Sequence, residues 1–403
     1  MRYAQFDSRD HAIRPEWLIA DDPLPLSGPE SFARRMIAAN AIRRYREDGE
    51  NGWVSYSRRK VWYSDNDRKF YWPRWFTYNR MMAAMAQMES AGLIVHDKKP
   101  PGNRHWQSRF RATDKLMEFK TKMRHSPTHQ IIMRDEDKND ISYNDKTRAI
   151  IKMNADIDAI NTYLSKQIIS LGGQALKEGD PLYVSLHCVT GALRTNLRRI
   201  FHDRSWFKGG RWYNDLQNIP KQVRRWMRIN GCPVAIHDYS AFYPSLLYAA
   251  VGQICDGDPY IIPDCPRAIS KPILNILINA KTGTSAIRAA ASELKELGDR
   301  EGQGARYAKA RRIIAALKSR NAPIAEFFHS DAGKQLMWFE AFILHHNMKD
   351  LMQLEIPFVP LHDALLVPEP ALPTLQSIMN ENLKLAKECL TDAHFYRPET
   401  LKR

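Results

Sequence analysis

Two apolar runs that each end on a carboxylate constrain this chain more than any other feature of it. Val234 to Ile236 lead through His237 to Asp238, and a helix-like segment follows Pro244. Far downstream, IPFVPL leads to His362 and Asp363, after which Leu365 to Val367 resume an extended apolar pattern. Short apolar runs bounded by polar residues read as strands, and the second run reads as a hairpin with the acid at its tip. Either aspartate alone suits a strand-end cap or a turn. On neighbouring strand ends the two together suit two-metal phosphoryl chemistry, in which carboxylates flank a pair of divalent ions about 4 Å apart.

Charge points to an acidic polymer as partner. The chain of 403 residues carries 60 Lys and Arg against 45 Asp and Glu, a formal net charge of +15, and clustered cations bind phosphate backbones by releasing counterions. Charge alone suits a merely soluble basic surface equally well. The stretch from Arg194 to Arg228 is more specific: ten Lys or Arg against Asp203 and Asp215, interleaved with Phe201, Trp206, Phe207, Trp212, Tyr213 and Trp226. Such a mixture tracks a strand, cations on phosphates and rings on bases, although about half of these rings suit a core as well. Cys188, Cys232, Cys255, Cys265 and Cys389 lie scattered without CxxC or zinc-finger spacing, which argues against disulfides and structural zinc and for a reducing compartment. No apolar run reaches the roughly 18 residues of a membrane span, and the first residues lack a signal peptide's apolar segment. A cytoplasmic protein without membrane contact is expected.

Length favours more than one core. Residues 1–125 are expected to form a winged helix-turn-helix-like DNA-binding domain. Within it Thr77 is a candidate N-cap, Met81, Met85 and Met88 follow helical spacing, Gly92 is a helix stop, and two extended runs flank Pro100, Pro101 and Gly102 as a hairpin. Arg80, Lys98, Lys99, Arg104 and Arg109 would face phosphates there; a core of methionines under a solvated charged face is the plainer alternative. The polar, charge-mixed stretch 126–146 is the candidate linker. Residues 147–403 then form the catalytic core, opening with an apolar-periodic helix in AIIKMNADIDAINTYLSKQIISL.

The motifs in that core resemble those of family A DNA polymerases. DYSAFYPSL is similar to motif A and PLHDALLVPE to motif C, in the family's order. Upstream, FKGGRWYNDLQNIP resembles the segment in which a Gly-Arg pair precedes LQNIP; Leu216 to Pro220 is the most specific string. RAISKPILNILINAKTGTSA, between the acids, resembles motif B, with Arg267 and Lys271 at a spacing that puts both on one helical face. The resemblance spans roughly residues 188–370.

It implies an α+β protein whose core is a minimal right hand: an antiparallel palm sheet with helical fingers and thumb. Asp238 and Asp363 would be the catalytic metal ligands, with the Tyr239 carbonyl, for two Mg²⁺ or Mn²⁺ ions. Arg267 and Lys271 would grip the incoming triphosphate, and Lys271 would protonate the pyrophosphate leaving group. Tyr239, Tyr243 and Asn275 would also lie on the nucleotide side, with Asp258 and Tyr260 of GDPY as a looser match. Arg211, Gln217, Asn218 and His362 would hold primer and template, and Arg198 and Arg199 belong to the same basic stretch. Tyr243, five residues after Asp238, stands where family A has Glu and family B has Tyr; either blocks a ribose 2′-hydroxyl, so deoxynucleotides are the expected substrate.

Several positions depart from the family. Asn275, Asn279 and Ala280 replace the aromatic and Tyr-Gly positions of motif B, Ala364 replaces an acid in motif C, and Pro272 predicts a helix that starts near Ala268. No exonuclease-like set of acids is evident in the first 150 residues. Glu340, on a helix leading into motif C, could approach the site, but a surface or core-polar residue is the plainer reading.

The expected function is therefore template-directed DNA polymerisation without proofreading, for a phage, plasmid or other mobile element, with primase activity as an extension suggested by the fused module. DNA template and primer, dNTPs, and a replication helicase or single-strand-binding protein are the expected partners. A primase or single-subunit RNA polymerase using rNTPs, and a non-catalytic replication initiator, are the alternatives.

Overall fold

A computed structural model describes residues 12–99, 107–125, 129–171, 196–219, 224 and 226–392. The protein is α+β, and all of its named strand pairs are antiparallel. It folds as two compact units, one of residues 1–133 with 139–151 and 177–191, the other of residues 134–138 with 152–176 and 192–403. Arg104, Cys188 and Arg194, with the Pro100–Gly102 turn, fall outside the described residues.

In the first unit β1 (Trp17–Ile19) precedes α1 (Ser31–Asp48) and β2 (Val54–Tyr56); α2 (Asn66–Tyr71), α3 (Tyr78–Ser90), β3 (Ile94–Asp97), β4 (Ser108–Ala112), α4 (Asp114–Met117) and β5 (Met123–His125) follow. The sheet order is β2-β4-β3, and β1 pairs with β5. Helix α1 buries Ala33, Met36, Ile37, Ala38, Ala39, Ala41 and Ile42, and the four alanines let neighbours approach closely. Met81, Ala84, Met85 and Met88 of α3 pack into the same core. Thr77 stands at the N-cap of α3 with extended backbone but makes no side-chain cap bond. Gly92, at φ +67°, ends the helix, and the Leu93 amide donates to the Met88 carbonyl in a Schellman-type closure. Arg34, wholly buried, is matched by Asp22, whose Oδ1 accepts from Nε at 2.9 Å, and by Gln87, which accepts at 2.7 Å.

Of the cations expected to face phosphates here, Arg109 lies 2.8 Å from Asp97 and Lys98 lies 2.9 Å from Glu89. Both ion pairs are partly exposed and so open to exchange for another anion at little cost. The stretch read as a linker contains two short strands, β6 (Ile131–Arg134) and β7 (Asp140–Ile141), with Ile131, Met133 and Ile141 buried.

The unit boundary falls inside α5 (Arg148–Ser165). The apolar period that predicts this helix runs on past its end, and Ile169–Leu171 instead forms β8. In the second unit β9 (Arg198–His202) and β10 (Ser205–Tyr213) form a hairpin, and β11 (Met227–Ile229) and β12 (Cys232–His237) form another. Both turns have two central residues at positive φ, Asp203-Arg204 and Asn230-Gly231, the type I′ geometry that matches strand twist. Helices α6 (Phe242–Ala250), α7 (Arg267–Asn279), α8 (Gly283–Glu296), α9 (Gln303–Arg320) and α10 (Gly333–Gln353) follow, then β13 (Val359–Leu361), β14 (Ala364–Pro368) and α11 (Leu372–Asp392). The main sheet runs β13-β14-β12-β11-β8, and side chains from α6 to α11 form one core beside it.

Candidate active site

The site lies wholly in the second unit, where β12 pairs with β14 in the register Val234 to Pro368 through His237 to Leu365. That register sets Asp238, one residue beyond β12, beside the turn of the β13–β14 hairpin. Leu361 faces Ala364 across this hairpin, so His362 and Asp363 are its two turn residues. His362 sits at φ +56°, a conformation that favours glycine. A bulky side chain there carries strain of roughly 1–3 kcal/mol, the kind that persists where a site holds it.

The two carboxylates lie close enough for the charge of one to act on the other. Crowding by surrounding atoms and the charge of Asp363 push the Asp238 pKa up to about 6, although its surface stays open to solvent; the Tyr239 amide and the charge of Lys271 pull the other way. Among the described residues neither acid forms an ion pair, and no cluster of three or more His, Cys, Asp or Glu side chains gathers as a metal set. A pair of acids pressed together without a cation fits a divalent ion such as Mg²⁺, which takes one or two carboxylates and completes its shell with water and substrate phosphates. Tyr239 turns its side chain away from the acids: its hydroxyl donates to the Met379 carbonyl at 3.0 Å and accepts from Asn347 at 2.9 Å. Only its backbone remains beside Asp238.

The cations expected on the triphosphate share a platform. Arg267 and Lys271 stand one turn apart on α7, 4.9 and 5.9 Å from the centroid of Tyr260, which is 2 % exposed. Arg267 Nε donates to Asp258 Oδ2 at 2.6 Å; burial alone would raise the Asp258 pKa, but this bond holds it below the ordinary value. Helix α7 starts at Arg267, one residue earlier than Pro272 predicts, and continues through that proline. Asn275 accepts from the Asn279 side chain through its carbonyl at 2.8 Å. Asn279 also packs on Gly333, where any Cβ would collide with it, so it joins α7 to α10.

The residues expected on primer and template divide. Gln217 is buried, and its amide donates to the Trp212 carbonyl at 2.7 Å. Asn214, which the sequence did not single out, caps the LQNIP turn by accepting from the Gln217 amide and donates to the Pro360 carbonyl at 3.0 Å. It thereby ties this segment to the strand that enters the His362-Asp363 turn. Arg199 lies between the Phe201 and Trp212 rings and donates to the Gly210 carbonyl. These two side chains serve the hairpin rather than an open surface. Arg198 is partly exposed on β9, and Asn218 lies in the short helical turn Asp215–Asn218. His362 is partly buried, and its pKa is lowered by burial and then by the Arg211 charge.

Arg211 is engaged in a way its spacing does not reveal. One guanidinium nitrogen donates to the Tyr243 hydroxyl and to Glu340 Oε2, both at 2.6 Å, and Tyr243 donates its own proton to that same oxygen at 2.7 Å. Glu340 is 1 % exposed. Of the two plain readings of this residue the core-polar one holds, and its carboxylate lies within hydrogen-bond reach of Tyr243. Its pKa is raised by burial, against the pull of Arg211, and the Asp363 charge adds to the rise. Tyr243 and Glu340 therefore sit in the electrostatic field of the acid pair. Comparison with known proteins returns no matching family model and no curated protein of similar sequence.

Proposed function

We propose that this protein is a template-directed DNA polymerase that extends a 3′ end with deoxynucleotides. The observation that carries the reading is the strand register that brings Asp238 and Asp363, from distant parts of the chain, to adjacent strand ends where their charges and that of Lys271 act on one another. Under this reading the strands β13, β14, β12, β11 and β8 are a palm and α7 to α9 serve as fingers. Asp238 and Asp363, with the Tyr239 carbonyl, would hold two Mg²⁺ or Mn²⁺ ions. Such ions activate the attacking oxygen and neutralise charge on the phosphates.

The chain's own groups have separable tasks. Arg267 exchanges its Asp258 partner for the triphosphate, a swap favoured because the phosphate carries more negative charge. Lys271, an exposed amine near the acids, supplies a proton to the departing pyrophosphate oxygen, where negative charge accumulates. Tyr243 stands at the sugar and excludes a 2′-hydroxyl. The first unit would bind DNA as a winged-helix-like module, a reading with which its order of helix, strand, two helices and an antiparallel strand pair, with sheet order β2-β4-β3, is compatible. DNA template, primer and dNTPs are the partners of this reading, with a helicase or single-strand-binding protein in a cytoplasmic replication setting.

Replacing Asp238 by Ala tests it. Primer extension with Mg²⁺ should fall by at least about a thousandfold, because one of two ligands bridging the reaction is gone. Binding of a primer–template duplex, followed by fluorescence anisotropy, should persist. Extension that survives the change rejects the assignment.

A further inference from the structure

We infer that Glu340 is the positioning residue that makes Tyr243 a rigid, purely steric filter against ribonucleotides. The inference rests on the polymerase reading and deepens it. Tyr243 follows Asp238 by five residues, at the start of α6, and feels the charge of Asp363. It keeps partial exposure, while its hydroxyl is turned toward a carboxylate that is almost wholly buried.

A phenol has one proton to give. Tyr243 gives it to Glu340 Oε2 at 2.7 Å and accepts from Arg211 at 2.6 Å. No proton is left for the 2′-oxygen to accept, so the ring presents bulk without donating a compensating hydrogen bond. A free tyrosine would behave differently: it would rotate about χ1, and its hydroxyl would bond to the very 2′-oxygen it is meant to exclude. A 2′-hydroxyl buried there without a partner is penalised roughly ten- to a hundredfold, and the bulk of the fixed ring adds to that penalty.

Glu340 is suited to the anchoring role by its surroundings. Arg211 balances its charge, which makes the buried carboxylate tolerable. Arg211 comes from β10 and Glu340 from α10, elements also bound by the Trp212 indole, which donates to the Ala341 carbonyl at 2.9 Å. Glu340 Oε1 and Arg211 Nε are buried without a partner among the described residues. The pair thus leaves hydrogen-bonding capacity unused while two donors, from Arg211 and Tyr243, converge on one oxygen.

The test measures kcat/KM for a dNTP and for the matching rNTP on one primer–template. Glu340→Ala is expected to lower the dNTP preference about tenfold or more, the worth of a hydrogen bond to a charged group. Glu340→Gln, whose amide oxygen can still accept from Tyr243, is expected to retain most of the preference. Tyr243→Phe, which removes the proton that Glu340 holds, should lower the preference, and adding Glu340→Ala to it should lower it no further. Because Glu340→Ala strands a buried guanidinium, the paired variant Arg211→Met/Glu340→Leu provides a folded control, and it too should lose discrimination. An unchanged preference in both Glu340→Ala and the paired variant, with extension intact, overturns the role of Glu340 and leaves the polymerase reading standing. Absence of any nucleotide incorporation by the wild-type protein overturns both.

Discussion

Asp203 illustrates how much a single side chain carries at a hairpin turn. It occupies the first central position of the β9–β10 turn and accepts from Lys334 at 2.7 and 2.8 Å and from Lys208 at 3.2 Å. Burial would raise its pKa, but the bonds to Lys334 and Lys208 outweigh burial and hold it below the ordinary value. A carboxylate depressed in the folded state contributes stability above the ordinary carboxylate range, and that contribution is lost as pH falls through its folded pKa. Asp203→Asn, which keeps a residue tolerant of positive φ, should therefore lower stability at neutral pH and flatten its fall below about pH 4. Urea midpoints measured from pH 3 to 7 check this, and parallel curves for the two proteins would contradict it. The difference between Asp238 and Glu340 explains what was legible at this scale. Asp238 and Asp363 end apolar runs, a local pattern. Glu340 is defined by Arg211, 129 residues away, and a glutamate on a helix carries no local mark of a distant partner.

Among the elements, the β9–β10 hairpin is held together by glycine. Gly209 and Gly210 have φ of +78° and +72° at the register shifts in β10, and a Cβ on Gly210 would stand 2.7 Å from Phe201 and 2.9 Å from the Arg199 guanidinium. Gly210→Ala should cost about 2 kcal/mol through backbone strain and loss of the Arg199 stack. Thermal unfolding reads this loss, and a change within about 0.5 kcal/mol, as at an ordinary surface site, would contradict it. Helices α3 and α5 were legible because their apolar period is long. Boundaries were less so. Helix α7 begins one residue before the start that Pro272 predicts, and Ile169–Leu171 leaves the helical pattern because β11 offers it a strand partner, an interaction that no window around residue 169 contains.

For the molecule as a whole, the division into two units and the excess of cations make separate demands. A charge of +15 predicts that binding to nucleic acid weakens linearly in log–log form as salt rises. For the full chain on single-stranded DNA a slope of about −4 or steeper is expected, read by anisotropy between 50 and 300 mM NaCl; a flat response would remove the phosphate-tracking role of the Arg194–Arg228 stretch. The α+β class follows from the mixed periodicities along the chain, while the meeting of the acids depends on pairing between strands remote in sequence. That pairing has a consequence during synthesis. Until β13 and β14 leave the ribosome, β12 is the outer strand of its sheet, with Ile236 half exposed and its hydrogen-bonding edge unclaimed. Prematurely terminated chains that stop short of residue 359 would lack Asp363 and carry this adhesive edge into the cell, inert as catalysts and prone to aggregate.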